Sequence, residues 1–272
     1  RYWRDWSSDV CSSDLVQGLA ARNLHMKPYQ VLDAHTVAQR RGILIAHEMR
    51  VGKSIVTLAA APDSARVVVV CPKTAKVEWV RTVRQWRPDL TPVAVDKSTE
   101  FRWPRDSEVV IIHYDALPAT FPRSPGEVIC IIDEVHRCKS TKTQVYKKTK
   151  SLARTALATK GKCWLTTGTP IMNKQPELWA ILQLAGLGEE AFGSWPTFCR
   201  VMGGVQGMWG MEWNDPLPRG RELLKKVMIR RTREEVGMGS EFSYEEICIP
   251  LDGIAADELA AFERAIYNAG LT

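Results

Sequence analysis

Apolar and polar positions along the 272 residues fall into two alternating rhythms. Five short runs are continuously apolar: Gly42–Ala46, Arg66–Cys71, Val109–His113, Val128–Asp133 and Cys163–Thr167. They are rich in β-branched residues and lack in–out alternation, the pattern of strands covered on both faces of a parallel sheet. Helices are predicted between them. Lys53–Ala61 carries Ile55, Val56, Leu58 and Ala59; Ala75–Trp86 carries Val77, Val80, Val83 and Trp86, three apart; Gln144–Thr159 is the third. Such alternation predicts an α/β layered domain, a mostly parallel sheet flanked by helices. After Thr169-Pro170 the strands are expected to stop. Pro176–Leu184, Ser194–Met202 and Gly220–Arg231 read as a helical extension, with a Gly- and Trp-rich loop over Gly203–Pro218. Further on, Glu245–Leu251 reads as a strand and Ala255–Asn268 as an amphipathic helix.

Composition narrows this picture only slightly. A hydrophobic content of 45% and a charged content of 25% suit a globular chain and exclude a collagen-like, coiled-coil or wholly disordered one. No apolar run approaches the roughly 20 residues of a membrane span, so no membrane partner is expected. The net charge of +6 leans toward polyanionic partners without specifying one. Seven cysteines show neither metal-binding nor disulfide spacing, which favours a reducing cytoplasm. Residues 1–15 are set apart: Asp5–Leu15 (DWSSDVCSSDL) resembles the translation of a sequencing adaptor, so this end is expected to be an assembly artefact or disordered.

Three segments carry candidate chemistry. His47-Glu48-Met49-Arg50-Val51-Gly52-Lys53-Ser54 follows a predicted strand and opens a predicted helix. At such a junction backbone N–H groups and the helix dipole point at an anion. Gly52 permits close approach, Lys53 can reach the β- and γ-phosphates, and the Ser54 hydroxyl can ligate Mg²⁺. Asp133 and Glu134 end a buried strand, where two adjacent carboxylates are costly unless solvated or metal-paired. Asp133 is then the candidate Mg²⁺ ligand and Glu134 the candidate group orienting or deprotonating water. Thr167-Gly168-Thr169-Pro170 follows the next strand, at the edge where α/β domains place ligands. Taken singly, each has a plain alternative: a surface turn, a solvated strand end, a loop.

In order and spacing these segments resemble the N-terminal RecA-like lobe of the Snf2 group of superfamily 2 helicase-like ATPases. The DExH box is Asp133–His136, and further segments agree: Lys27-Pro28-Tyr29-Gln30, Val70-Cys71-Pro72-Lys73, His113–Leu117, Asn173 with Glu177-Leu178-Trp179, and Ile229–Val236 (IRRTREEV), a block particular to Snf2 proteins. The likeness runs from about residue 24 to 272 and is nearest a distant phage-like and annealing-helicase-like branch. The resemblance implies a RecA-like P-loop NTPase fold with ATP and Mg²⁺ as cofactors. It implies Gln30 as the adenine reader, and Lys53, Asp133 and Glu134 as the catalytic set. It also implies double-stranded DNA as partner, met by Lys73, Tyr114, Thr167, Arg137 and Lys139; the Lys142–Lys150 cluster is a further candidate for DNA phosphates, or else a solvated helix face. His47 and Arg50 depart from the family, which usually has Asp and Gly there, and Val135 stands where Ala is common.

The expected organisation is an ATP-binding lobe over 16–240, then 241–272 as the start of a connection to a second RecA-like lobe, which supplies arginine fingers and is missing from this chain. The chain is therefore expected to be a truncated fragment of bacterial or phage origin, weakly active alone. The alternatives are another superfamily 2 helicase or restriction motor subunit, or a non-catalytic DNA-binding module with a degenerate nucleotide site.

Overall fold

A computed structural model of the chain describes residues 25–169, 175–208 and 210–238. The terminal stretch 1–15, Pro170, Asn173, and the expected strand and helix over 245–268 lie outside the described residues. Seven parallel strands form the central sheet: β1 (Gly42–Ile45), β2 (Arg66–Cys71), β3 (Thr91–Val95), β4 (Glu108–His113), β5 (Ile129–Ile132), β6 (Lys162–Thr166) and, at the far end of the chain, β9 (Met228–Ile229). Their order is β3-β4-β2-β5-β6-β1-β9.

The continuous apolar strands have a simple cause, since each serves two cores. Val68, Val70, Val110, Ile112, Cys130 and Ile132 point to one face, packing with α4 (Gln144–Ala158) through Leu152, Ala153 and Ala156. Their alternate neighbours Val67, Val69, Val109, Ile111, Ile129 and Ile131 point to the other. There they meet Ala34 and Val37 of α1 (Pro28–Gln39), Val56 and Leu58 of α2 (Lys53–Ala60), and Trp79 and Val83 of α3 (Lys76–Trp86). With side chains alternating at period two, both faces must be apolar. The five described cysteines are free and buried, as expected for small core residues.

Several expectations need correction. The helix over residues 75–86 does not bury its Val77–Val80–Val83 line, since Val77 is 59% exposed; it buries Lys76, Trp79, Thr82 and Val83. A spacing of three slips by about 60° per step around a 3.6-residue helix, so it cannot stay on one face. Strands do not stop at residue 170. The helix expected over 220–231 is α8 (Pro218–Lys225), and the chain then forms β9 beside β1, with Leu44 opposite Met228 and Ile45 opposite Ile229. Two residues are too few to show a period. The Gly203–Pro218 loop contains an antiparallel hairpin, β7 (Gly204–Gly207) and β8 (Gly210–Trp213), whose mostly exposed positions hid any alternation. The unexpected β3 carries Pro92, tolerated because β3 is an edge strand.

The helices of the extension are α5 (Gln175–Gln183), α6 (Leu187–Phe192), not anticipated, and α7 (Trp195–Val201). They share an aromatic cluster in which Trp195 stacks on Phe198 at 5.5 Å. No helix among the described residues is long and apolar enough to cross a membrane.

Candidate active site

All parallel strands end on the same rim, and the three candidate segments leave from β1, β5 and β6. Strand β6 lies between the other two, so the ends of β1 and β5 are two strand spacings apart, about 10 Å. Thr167 N donates to Ile45 O (3.1 Å), tying the third segment to the first.

The loop between β1 and α2 is built for close approach. Gly52 takes φ 93°, the left-handed region, and a Cβ there would collide with Gln30 Nε2. No side chain caps α2 and no acidic residue stands in its first turn, so its N-terminal amides face outward without a competitor. Lys53 Nζ lies within the loop, donating to His47 O (3.2 Å) and Glu48 O (3.4 Å). Burial pulls the Lys53 pKa below its ordinary value, while the nearby Glu134 and Asp133 carboxylates act the other way. A Cβ built on Gly168 would come 3.4 Å from Met49 Cγ and 3.7 Å from Lys53 Nζ. The three segments therefore surround one lysine.

Asp133 is 7% exposed and fully oriented. Its Oδ1 accepts from Thr166 Oγ1 (2.7 Å), its Oδ2 from Trp79 Nε1 (2.8 Å), and its carbonyl from Tyr114 Oη (2.6 Å). Each carboxylate oxygen retains a second lone pair, so a cation can still be met directly or through water. Glu134 follows in a left-handed conformation (φ 50°), an uncommon state for a non-glycine residue that clusters at functional sites. Its Oε2 lies 3.1 Å from His136 Nδ1, which also lies 3.1 Å from Thr167 Oγ1. Among the described residues no group of three or more His, Cys, Asp or Glu side chains could hold a metal ion. Mg²⁺ needs no such cluster, because one or two protein oxygens suffice when phosphates and waters complete its shell, and the spare lone pairs of Asp133 are of the hard-oxygen kind it takes.

The two departures have physical consequences. Arg50, where glycine is usual, adopts φ 66° and is exposed. The loop thus keeps a glycine-like backbone at a steric cost. His47 is fully buried, its Nε2 3.2 Å from Asp33 Oδ2. Asp33 is also held by Arg231 Nη2 (2.8 Å) and Nε (3.1 Å). Burial pushes the Asp33 carboxyl up, but His47 and Arg231 outweigh it and hold it below the usual range.

Gln30 is only 6% exposed; its Oε1 accepts from Lys27 N (2.8 Å) and its Nε2 donates to Val51 O (3.4 Å). Here it supports the loop. Lys73 and Arg137 are exposed, Arg137 lying 5.7 Å from the Tyr114 ring centroid, and Lys139 pairs with Glu177 at 3.5 Å. Tyr114 and Thr167, expected at DNA, are buried at 1% and 0%, Tyr114 donating to the Asp133 carbonyl and Thr167 lying against His136. Of the Lys142–Lys150 cluster, Lys142 and Lys147 are exposed, whereas Lys150 turns inward to the Gln183 carbonyl. Trp79, Thr166 and Asp33 were not anticipated. Trp79 reads as an ordinary core residue, and only a carboxylate placed opposite its indole distinguishes it.

The family of the SNF2-related domain matches this chain over residues 19–268. A relative named DNA annealing helicase and endonuclease ZRANB3, from Homo sapiens, is 25% identical over 215 residues, covering 71% of this chain and 19% of its own length. SWI/SNF-related matrix-associated actin-dependent regulator of chromatin subfamily A-like protein 1, from Xenopus tropicalis, is 27% identical over 244 residues, covering 84% of this chain and 25% of its own length. The chain thus spans about a quarter or less of these relatives. The solved Sulfolobus solfataricus SWI2/SNF2 ATPase core in complex with dsDNA superposes with a TM-score of 0.59 at 20% identity, over 77% of this chain and 45% of its own. At that identity the likeness is one of fold.

Proposed function

Because the chain belongs to the SNF2-related domain family, we propose that it is the nucleotide-binding lobe of a DNA-dependent ATP hydrolase that moves along duplex DNA. The observation that carries this reading is Lys53, set between the loop carbonyls of His47 and Glu48 and the Asp133–Glu134 pair, with Gly168 against it. Phosphates on the uncapped α2 amides would draw Lys53 Nζ away from those carbonyls. Ser54 and Asp133 would hold Mg²⁺, which neutralises phosphate charge as the terminal group leaves. Glu134 orients the attacking water and takes its proton, while His136 and Thr167 fix its carboxylate. Tyr29 and Gln30 steady the loop through Val51 O, and Gln30 is the residue assigned to the adenine side. DNA phosphates are met by Lys73, Arg137 and Lys139, with Tyr114 and Thr167 acting from the interior.

Hydrolysis at useful rates is assigned to a closed site with arginines from a second lobe, a contribution of about 10³–10⁵ in rate. The purified chain should bind Mg·ATP, lose that binding in Lys53→Ala, keep it in Glu134→Gln, and turn over far below about one per second. Retention of nucleotide binding in Lys53→Ala would sink the reading. Turnover near one per second would remove the need for the second lobe. DNA affinity should fall steeply with salt, because its contacts are to phosphates.

A further inference from the structure

The entrance to the phosphate loop is held by a segment that arrives some 180 residues later. A parallel backbone ladder begins in the sheet with Leu44 N to Val227 O (2.9 Å) and continues with Ala46 N to Ile229 O (2.8 Å). It runs past the end of β1 into the loop itself, where Glu48 N donates to Arg231 O (2.9 Å). Glu48 answers through its side chain, accepting from Arg233 N (2.9 Å) and lying 3.6 Å from Arg230. Across this ladder stands the Asp33 carboxylate, 2% exposed, which Arg231 grips with one donor on each oxygen while His47 Nε2 lies against Oδ2.

Helix α1 completes the arrangement. Tyr29 and Asp33 are one turn apart on the same face; Tyr29 and its neighbour Gln30 hold Val51, while Asp33 faces His47. Both ends of the loop are therefore bound to α1, and its first residues are bound to 229–233 as well. The carbonyls so positioned, those of His47 and Glu48, are the two that accept from Lys53 Nζ. Both ring nitrogens of His47 are buried without a hydrogen-bond partner among the described residues, and Nε2 makes its charge contact with Asp33 Oδ2 at 3.2 Å.

We propose that Asp33 and Arg231 are positioning residues that latch the 228–235 segment onto the phosphate loop, so that docking of this segment and nucleotide binding favour one another. This deepens the reading of residues 47–54 as a phosphate loop and rests on it. The latch can open because β9 is a two-residue edge strand and the Arg231 side chain is 34% exposed. Opening frees His47 and Glu48 and with them the carbonyls that set Lys53. Linkage is reciprocal: nucleotide must tighten the segment by the factor with which the segment tightens nucleotide.

The experiment is amide hydrogen exchange and fluorescent Mg·ADP binding on the whole chain. In the native protein, Mg·ADP should slow exchange at Ala46, Glu48 and Arg233. Arg231→Gln and Asp33→Asn should each weaken Mg·ADP about 5–10-fold and speed exchange at those amides, leaving those of β2, β4 and β5 unchanged. The double variant should be no weaker than either single one, because both break one contact. Arg231→Lys, which keeps the charge but not the two-pronged grip, should fall between. Affinity within twofold of native in Arg231→Gln, multiplicative losses in the double variant, or faster exchange across the whole sheet would each overturn the latch. Lys53→Ala separates the two readings. If the native chain binds no Mg·ADP, or Lys53→Ala binds it equally well, the phosphate-loop reading fails, and the latch as a nucleotide-coupled device fails with it. Loss of Mg·ADP in Lys53→Ala together with unchanged affinity in Arg231→Gln fells the latch alone.

Discussion

Helix α2 is secured in opposite ways at its two ends. At its C-terminal end Arg87, 1% exposed, donates to the carbonyls of Leu58 (2.7 Å), Ala61 (2.6 Å) and Pro62 (3.1 Å) and makes two bonds to Asp89 (2.9 and 2.7 Å). The carbonyls that a helix end leaves unpaired are thus met by a buried cation, the sign its dipole favours there. At the N-terminal end no side chain caps the helix, Gly52 and Arg50 hold positive φ, and the neighbouring loop carbonyls are met by Lys53, Tyr29 and Gln30. One end is closed by its own chain; the other keeps its amides uncommitted, as an anion site requires. The fold concentrates its stability at one pole of this helix and its adaptability at the other.

That contrast can be broken in graded steps. The largest effect belongs to Arg87→Met, which strips three carbonyls and leaves Asp89 with one partner fewer; urea unfolding should show a loss of about 3 kcal/mol or more from the unpaired carbonyls, with nucleotide affinity of the folded fraction unchanged. A matching loss of affinity would mean that the two poles are not separate. Next is Trp79→Phe, which keeps a six-membered aromatic ring but removes the N–H on Asp133 together with the ring that carries it. It should cost about 1–3 kcal/mol and weaken Mg·ADP more than ADP in EDTA; equal weakening would deny Asp133 its metal role. Arg50→Gly relieves the positive φ while adding chain entropy, a net gain of up to about 1 kcal/mol by thermal unfolding, and any destabilisation would show the arginine side chain to be a needed contact.

The smallest effect is acid titration of paired carboxylates. The Arg102 guanidinium bonded to Glu108 is the main cause holding that carboxyl down to about 2, against partial burial. A depressed carboxyl stabilises the fold fully above its unfolded pKa, about 4.3, and that contribution is lost as pH falls through about 2. Glu108→Gln should flatten the stability curve between those limits, and Asp33→Asn should do the same in the acid range, in the direction its lowered pKa dictates.

Much of the candidate site was legible in the chain because it is local. Gly52, Lys53 and Ser54 must be adjacent to act at a helix start, and Asp133 and Glu134 must end a buried strand. Burial of both sheet faces was legible for the same reason, since Val67–Cys71 has no polar position to turn outward. The parts not legible in the chain were short, or exposed, or owed their meaning to a distant residue. Met228–Ile229 is a strand only because Leu44–Ile45 offers an open edge. Tyr114 is interior because Asp133 O awaits its hydroxyl, and Trp79 orients a carboxylate 54 residues away.

The chain by itself determined its layers, the order of its chemical segments and their shared position at strand ends, because period, burial and turn chemistry act over a few residues. Only the tertiary structure decided which partners those segments have. Asp33, His47 and Arg231 carry no local pattern, and they meet because strand pairing brings residue 231 beside residue 48, where a buried carboxylate must find a cation or not be charged at all.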